Sequence, residues 1–559
     1  MAAAQISEKQ STPSPSPSWF CSQTGIYTST YTPISLPQTP FLDIVSFIFS
    51  HKHNGISALI DSPSGISFSY SQLHQMVNSL ASGLSNLLGV LQKDVILILL
   101  PNSIFFPVIF LGVLSIGGIV TTMNPLSSLI EIKKQMVECR VKFVFTELDN
   151  VSKIESLNLG VRVIRVPSLP NLFESSDFDC FSKLVNAHAD SSNRPVINQQ
   201  DTAAILYSSG TSGVSKGVVL SHRNLIAAVE LFVRFEAMQS NMRFPVVENV
   251  YLASIPMFHI YGLSLFALGL LSLGTKIVVL RKFNADEMVK AIDKYRVTHL
   301  PAVPPILMAL PRAKEFRRCN LGSLKQVSCG AAPLSKKIIQ EFLMNLPWVD
   351  FIQGYGMTES TAVGTRGLNT GTFRKYTSIG LLSPNMQAKI VDWNSGSCLP
   401  PAHSGELWLR GPGIMKGYLN DPDATNSAID KDGWLHTGDI VYFDQDGYLY
   451  LVDRLKEIIK YKGFQIAPAD IEAVLISHLD IIDVAVTGWS DEEAGEIPVA
   501  FVVKRPGSNL SENDVIDYVA SQATPYKKVR MVVFTPSIPK SPAGKILRRQ
   551  LKNFFISRI

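Results

Sequence analysis

A chain of 559 residues is too long for one ordinary domain, and 46% hydrophobic against 17% charged residues supplies large packed cores, not global disorder. The net charge of +5 is thin over that length and no dense Lys/Arg block stands out, which argues against a nucleic-acid-binding stripe and fits a small anionic ligand. The six cysteines (Cys21, Cys139, Cys180, Cys319, Cys329, Cys398) form no CxxC pair and the ten histidines no HExxH pattern, so free thiols in a reducing compartment are expected, and no protein-bound transition metal.

In chain order, MAAAQISEKQSTPSPSPSW lacks an apolar signal core and any arginine, which points away from secretion and mitochondrial import. Its Ser/Pro content reads as a disordered leader, and residues 1–39 are taken as leader and N-terminal extension. Residues 104–120 are apolar apart from Ser115. They contain Pro107, Gly112, Gly117 and Gly118, barely reach spanning length, and follow DVILILLPNS, a strand ending in a turn. A buried helix between two buried strands is expected there, not a membrane span. Strand-like runs at 95–100, 142–145, 203–207, 250–254, 276–280 and 298–303 alternate with helical patterns, which predicts layered α/β architecture.

The run YSSGTSGVSKG, residues 207–217, looks built to hold phosphate. The familiar phosphate loop is GxxxxGK[ST] directly before a helix. Here Lys216 is followed by Gly217 and then by VVLSH, a β-branched run that reads as a strand. The loop therefore joins two strands and has no helix dipole to use. It would grip phosphate with backbone N–H groups, the hydroxyls of Ser208, Ser209, Thr211 and Ser212, and the Lys216 charge. Gly210 and Gly213 let the backbone turn and approach closely. Taken alone, the same run also reads as a flexible Gly/Ser hairpin loop.

After about Pro400 the pattern becomes β-rich, and FDQDGYLYLV predicts a hairpin turning at Asp446-Gly447. From Arg454 a small α/β pattern follows. Pro468 opens a helix whose apolar face is Ile471, Val474, Leu475 and His478. Strands are expected at 483–488 and 497–503, and Ser511 with Asp514 forms a capping-box start for a further helix. The joint falls near 453–456, giving a large domain over 40–453 and a small one over 454–559.

Further motifs follow the loop in order: SCGAAPLS (328–335), GYGMTES (354–360), WLHTGD (434–439), VDRLKEIIKYKGFQIAP (452–468) and PKSPAGKILRR (539–549). Together they resemble the adenylate-forming superfamily of acyl-CoA ligases, luciferases and peptide-synthetase adenylation domains, from about Pro40 to the end. The nearest subgroup resembles the plant 4-coumarate:CoA ligases and their ligase-like relatives. The resemblance implies an α/β fold of the acyl-CoA synthetase type. In it, a large N-terminal domain of layered α/β subdomains with a β-rich portion carries a small mobile C-terminal α+β domain. It implies an ATP-dependent carboxylic acid:CoA ligase using ATP, CoA and Mg²⁺, forming acyl-AMP and pyrophosphate and then passing the acyl group to CoA.

Joining two anions at the α-phosphate calls for positive charge, and Lys545, on a Pro/Gly-bounded turn, is the candidate. By resemblance it contacts carboxylate and phosphate. Glu359 is a hard oxygen ligand suited to Mg²⁺ held with ATP phosphates, and Thr358 adds a hydroxyl. Asp439 offers two acceptors for the ribose hydroxyls, with Arg454 beside it. Ala331, Gln353, Gly354 and Tyr355 match the adenine and acyl site. Lys456 matches the hinge, Lys460 and Gln465 the second face of the small domain, and Lys282, Lys462 and Gly463 the CoA contacts. His259 matches the gate of the acyl pocket, lined by Tyr261, Leu265, Ser328, Ala331, Gly354, Val363 and Gly364. Taken singly, Lys545 reads as a solvated lysine, Asp439 as a turn residue, and His259 and Tyr261 as core residues; their joint occurrence carries the function.

The pocket departs from the subgroup, which has Ser at the Leu265 position, Lys or Met at Ser328, and a bulkier apolar residue at Gly364. The departures remove partners for a 4-hydroxyl and are expected to enlarge the pocket floor. A buried phenol without a partner is penalised by about 1–3 kcal/mol. The acid is therefore expected to be hydroxycinnamate-like, fatty or an oxylipin precursor. The alternatives are an adenylating enzyme with a non-CoA acceptor, or a catalytically silent acyl- or nucleotide-binding protein. The tail Ser557-Arg558-Ile559 is similar to the peroxisomal address and implies an import receptor as partner, with the cytoplasm as the alternative.

Overall fold

The computed structural model describes residues 18–168, 176–189, 194–208, 215–243, 248–369, 374–462, 464–541 and 544–556. Two large sheets carry most of the chain. In the seven-stranded sheet the order is Gly417–Tyr418, Lys216–Ser221, Thr202–Ser208, Ile119–Thr122, Val95–Leu99, Val141–Thr146 and Arg162–Arg165. The nine-stranded sheet places Asp350–Tyr355, Gln326–Cys329, His299–Ala302, Val250–Ala253 and Lys276–Val279 side by side, all parallel. Parallel strands connected by helices must be covered on both faces, which is why these strands read as near-continuous apolar runs.

The apolar stretch after DVILILLPNS is helix Phe105–Ser115, with all eleven of its residues buried. It lies between strands Val95–Leu99 and Ile119–Thr122, which pair in parallel, as the pattern predicts. No helix among the described residues is long and apolar enough to cross a membrane.

A six-stranded sheet follows, ending in Gly405–Arg410, Leu435–Phe443 and Leu449–Arg454. Its last hairpin turns at Asp446-Gly447, where Gly447 has φ +80° and donates its N–H to the Asp444 carbonyl. The chain then leaves this sheet through a single 3₁₀ turn, Leu455–Glu457, and enters a five-stranded sheet at Ile459–Tyr461. That sheet, with helices Pro468–Ile476 and Glu512–Gln522, has its own apolar core around Ile466, Ile471, Leu475, Val502 and Val519. Pro468 takes the first helical turn, and Ser511 with Asp514 forms the reciprocal cap expected of them. One expectation needs correction. His478 lies beyond the helix, which stops at Ile476; its N–H closes a tight turn onto the Leu475 carbonyl and its ring meets Tyr518 edge-on.

Candidate active site

Strands Thr202–Ser208 and Lys216–Ser221 are antiparallel neighbours, with Lys216 opposite Ser208. The phosphate-type loop thus joins two strands, as read from the sequence; Ser209, Gly210, Thr211, Ser212 and Gly213 lie outside the described residues. Helix His222–Ala228 begins only after the second strand, capped by Ser221. At the loop's base the Ser208 hydroxyl donates to Glu359 Oε1 at 2.6 Å, and the Tyr418 hydroxyl donates to the same oxygen at 3.1 Å. The Lys216 ammonium sits 5.0 Å from the centre of the Tyr418 ring.

Glu359 is buried in a one-turn 3₁₀ helix, Thr358–Ser360, with Thr358 half-buried at its start. The turn is followed by two non-glycine residues in left-handed conformation, Thr361 (φ +53°) and Ala362 (φ +62°). Such backbone is costly and persists only where its surroundings hold it. Here the Thr361 hydroxyl donates to the Gly413 carbonyl at 2.6 Å, and Met415 N–H donates to the Glu359 carbonyl. Both bonds to the carboxylate use Oε1, and among the described residues no protein group donates to Oε2. That oxygen suits a hard cation, but no cluster of three or more possible ligands exists among the described residues. A Mg²⁺ ion at Glu359 would therefore need oxygens from the nucleotide or water.

Asp439 lies opposite Arg454 in the antiparallel pair Leu435–Phe443 and Leu449–Arg454. Its Oδ2 accepts from the Tyr355 hydroxyl at 2.6 Å and its Oδ1 faces Arg454 Nε at 3.1 Å. Burial, then the Asp439 charge, drives the Tyr355 hydroxyl well above the ordinary phenol range. The Thr437 hydroxyl accepts from Asp439 N–H and donates to the Leu407 carbonyl, which fixes the backbone beneath the carboxylate. A cavity of about 500 Å³ opens here, walled by Lys216, Tyr418, Thr437, Gly438, Arg454 and Lys456. Tyr418 carried no sequence signal, being an ordinary tyrosine beyond the quoted motifs; register against Val218 brings it in.

Lys545 arrives from the other end of the chain. Gly544 (φ +83°) donates to the Ser541 carbonyl and Ser541 N–H donates to the Lys545 carbonyl, making a tight turn. A Cβ on Gly544 would stand 2.6 Å from Pro305 Cδ, so the turn rests directly on the large sheet's Pro304–Ala309 helix. The Lys545 ammonium is pushed down to about 8, first by burial and then by the charges of Arg454 and Lys456, with Asp439 opposing. Lys456 is likewise lowered, by desolvation and by Arg454. Three cations converging on one carboxylate wall make a site that attracts anions. Gly544→Ala is expected to loosen this seat and slow the acid- and ATP-dependent step about tenfold, with the melting temperature lowered by at most about a few degrees because the left-handed backbone strains any Cβ. Steady-state kinetics beside a thermal melt checks it.

On the acyl side, the Tyr261 hydroxyl reaches the Ser328 carbonyl at 3.3 Å and its hydroxyl at 3.4 Å. Burial raises that phenol to about 12. Leu265 and Val363 are buried, and Ala331 holds a left-handed conformation (φ +70°) at the end of strand Gln326–Cys329. His259 stands at the head of the short helix Ile260–Gly262. The residue is exposed, yet desolvation by the surrounding protein lowers its pKa, so the imidazole is neutral at pH 7. The expected enlargement at Gly364 does not occur. A Cβ there would meet the Tyr355 carbonyl oxygen at 2.5 Å, so Tyr355 fills that space.

The Gln353 side chain donates to the Tyr376 carbonyl at 2.7 Å, while Gly354 is buried beside it. Lys282, Lys460 and Lys462 are exposed and do not wall the cavity. Lys460 lies within strand Ile459–Tyr461, and Lys462 (φ +46°) enters the turn that joins it to Phe464–Ile466. Gly463 and the Gln465 side chain lie outside the described residues.

The family described as AMP-binding enzyme matches residues 49–419, and the AMP-binding enzyme C-terminal domain matches residues 470–545. A 4-coumarate–CoA ligase-like protein of Arabidopsis thaliana is 59% identical over 551 residues, covering 97% of this chain and 96% of that protein. The peroxisomal OPC-8:0-CoA ligase 1 of Arabidopsis thaliana is 44% identical, covering 96% of this chain and 97% of its own. Among solved structures, the o-succinylbenzoate CoA synthetase of Bacillus subtilis, in complex with its acyl-adenylate intermediate, superposes with TM-score 0.77. It is 25% identical, over 92% of this chain and 98% of that one. The chain therefore belongs to the AMP-binding enzyme family, as an acid–thiol ligase of the 4-coumarate–CoA ligase-like kind.

Proposed function

We propose that the protein activates a carboxylic acid with ATP and transfers the acyl group to CoA. In the first step a carboxylate oxygen attacks the α-phosphorus of ATP and pyrophosphate leaves. In the second the CoA sulfur attacks the acyl carbonyl, its proton passes to solvent, and AMP leaves. The observation that carries this reading is that Lys545 lies within electrostatic reach of Arg454, Lys456 and Asp439, although the chain contributes them from distant segments, and that Arg454 and Lys456 wall the cavity. Lys545 would neutralise the approaching anions, Asp439 would accept from the ribose hydroxyls, and Lys216 with the 209–214 loop would hold the departing phosphates. Glu359 would hold Mg²⁺ together with those phosphates, supplying charge neutralisation when bound.

The small domain, taken as 454–559, would turn about the 3₁₀ segment at Lys456 between the two steps. Lys460, Gln465, Lys462 and Gly463 would then face the site, with Lys282 on the CoA path. The present exposure of Lys282, Lys460 and Lys462 suits this second task. The acid is hydroxycinnamate-like, fatty or an oxylipin precursor, and Ser557-Arg558-Ile559 directs the enzyme to peroxisomes through an import receptor. One relative's name carries the peroxisomal location.

Pyrophosphate release with ATP, Mg²⁺ and a panel of such acids, followed by thioester formation on adding CoA, tests the reading. Release without thioester would favour a different acceptor; no release with any acid would favour a silent binding protein.

A further inference from the structure

The strand pair that carries Asp439 is not a regular ladder. Glu406 lies opposite Ile440 and Trp408 opposite His436, so three residues, Thr437, Gly438 and Asp439, stand against Leu407 alone. Bulges of this kind re-aim a side chain, and they leave backbone groups that the ladder no longer pairs. Here side chains do the pairing. The Thr437 hydroxyl bridges the Leu407 carbonyl and the Asp439 N–H. The Gly438 N–H donates to Glu406 Oε1 at 3.0 Å. The other oxygen of Glu406, Oε2, accepts from Trp408 Nε1 at 2.9 Å. The Trp408 ring in turn stacks on His436, with centroids 3.8 Å apart and planes at 13°. One carboxylate and one indole thus grip the bulge at its start and at its middle.

Two features set Glu406 apart from a residue that only solvates the sheet. Two N–H donors approach it from different residues and each takes its own oxygen, whereas an amide side chain offers one acceptor oxygen. Glu406, His436, Thr437 and Gly438 also wall the cavity at which Arg454 and Lys456 stand. Asp439 follows Gly438 directly. Its carboxylate is tied to Tyr355 and Arg454, but its Cα goes where the bulge goes. Misplacing a positioning group by about 1 Å can cost about 100-fold in rate, so the shape of this bulge matters to any ligand that Asp439 holds.

We propose that Glu406 is the positioning residue of the ribose site. It shapes the 437–439 bulge so that the Asp439 carboxylate meets the ribose hydroxyls of ATP, and it thereby sets the preference for a nucleotide that carries them. The proposal rests on the acid–CoA ligase reading and adds a residue to it. Glu406 touches no substrate and acts only through Asp439.

Acid-dependent pyrophosphate release by the full-length enzyme tests it, with ATP and with 2′,3′-dideoxy-ATP, which lacks both hydroxyls. The wild type is expected to favour ATP about 100-fold in kcat/KM. Glu406→Met removes both acceptors at nearly constant side-chain length. It should bring that preference to about tenfold or less, with the loss falling on ATP. Glu406→Gln together with Trp408→Phe leaves one acceptor facing one donor and should restore most of the preference; Glu406→Gln alone should fall between the two. A thermal melt of each variant reports folding separately. Should Glu406→Met not fold, the comparison of Glu406→Gln with and without Trp408→Phe carries the test. Equal losses with both nucleotides would make Glu406 a plain structural residue and overturn the proposal. So would a preference that Glu406→Met leaves intact, a double variant no better than Glu406→Gln alone, or a wild type that uses both nucleotides equally. No release with any acid and either nucleotide would overturn the ligase reading itself.

Discussion

Lys545→Ala is expected to slow acyl-AMP formation by about 10²–10³-fold, the loss typical of removing one preorganised group that neutralises developing charge. CoA attack on supplied acyl-AMP should stay within about threefold of wild type, because the proposed second step uses the opposite face of the small domain. The reason lies in position. The Ser541–Lys545 turn seats on Pro305, and its ammonium feels Arg454, Lys456 and Asp439 at once. The pH dependence follows with a definite sign. Burial and two neighbouring cations hold this ammonium near 8 in the free enzyme, so its positive charge is lost as pH rises through that value. For adenylation, kcat/KM should therefore fall above about pH 8. Bound ATP favours the charged form, so the corresponding limb in kcat should lie at higher pH. Pre-steady-state assays of each half-reaction across pH check both statements. Equal losses in the two steps would remove Lys545 from its proposed role.

Asp439→Ala should be the second large effect. The carboxylate accepts from the Tyr355 hydroxyl at 2.6 Å and faces Arg454 at 3.1 Å, while the residue is only 3% exposed. Its removal strands two donors beside the cavity and takes away the acceptors proposed for the ribose. Breaking a buried pair by deleting one partner costs about 3–5 kcal/mol, here reduced because Arg454 is partly solvated. We expect KM for ATP to rise about 100-fold, equivalent to about 2.7 kcal/mol, and the melting temperature to fall by several degrees. Asp439→Asn should keep most of the stability and lose most of the nucleotide affinity. Calorimetry and ATP titration separate the two. An alanine variant that melts early but binds ATP normally would make Asp439 a purely structural residue.

What could be read in advance was what depends on local order along the chain. The buried helix after DVILILLPNS, the strand following Lys216, the Asp446-Gly447 hairpin and the Ser511 cap all follow from periodicity and turn chemistry within a few residues. Residues beyond that range were not legible. Tyr418 reaches Glu359 only because its short strand pairs with Lys216–Ser221. Glu236 and Arg366 share no motif; a helix and a short strand paired on both sides bring them together near Tyr261. At Gly364, comparison of side-chain sizes suggested space, but the neighbouring Tyr355 backbone already fills it. His478 shows the same lesson at short range: apolar spacing extended the helix past Ile476, while the chain closed a turn there instead.

Acid-dependent exchange of labelled pyrophosphate into ATP, measured with the full chain in the absence of CoA, tests the central claim most directly. An acid that later yields a CoA thioester should support exchange without CoA, and Lys545→Ala should abolish that exchange. Thioester formation from an acid that supports no exchange would contradict an acyl-AMP step. So would exchange that is undiminished in Lys545→Ala.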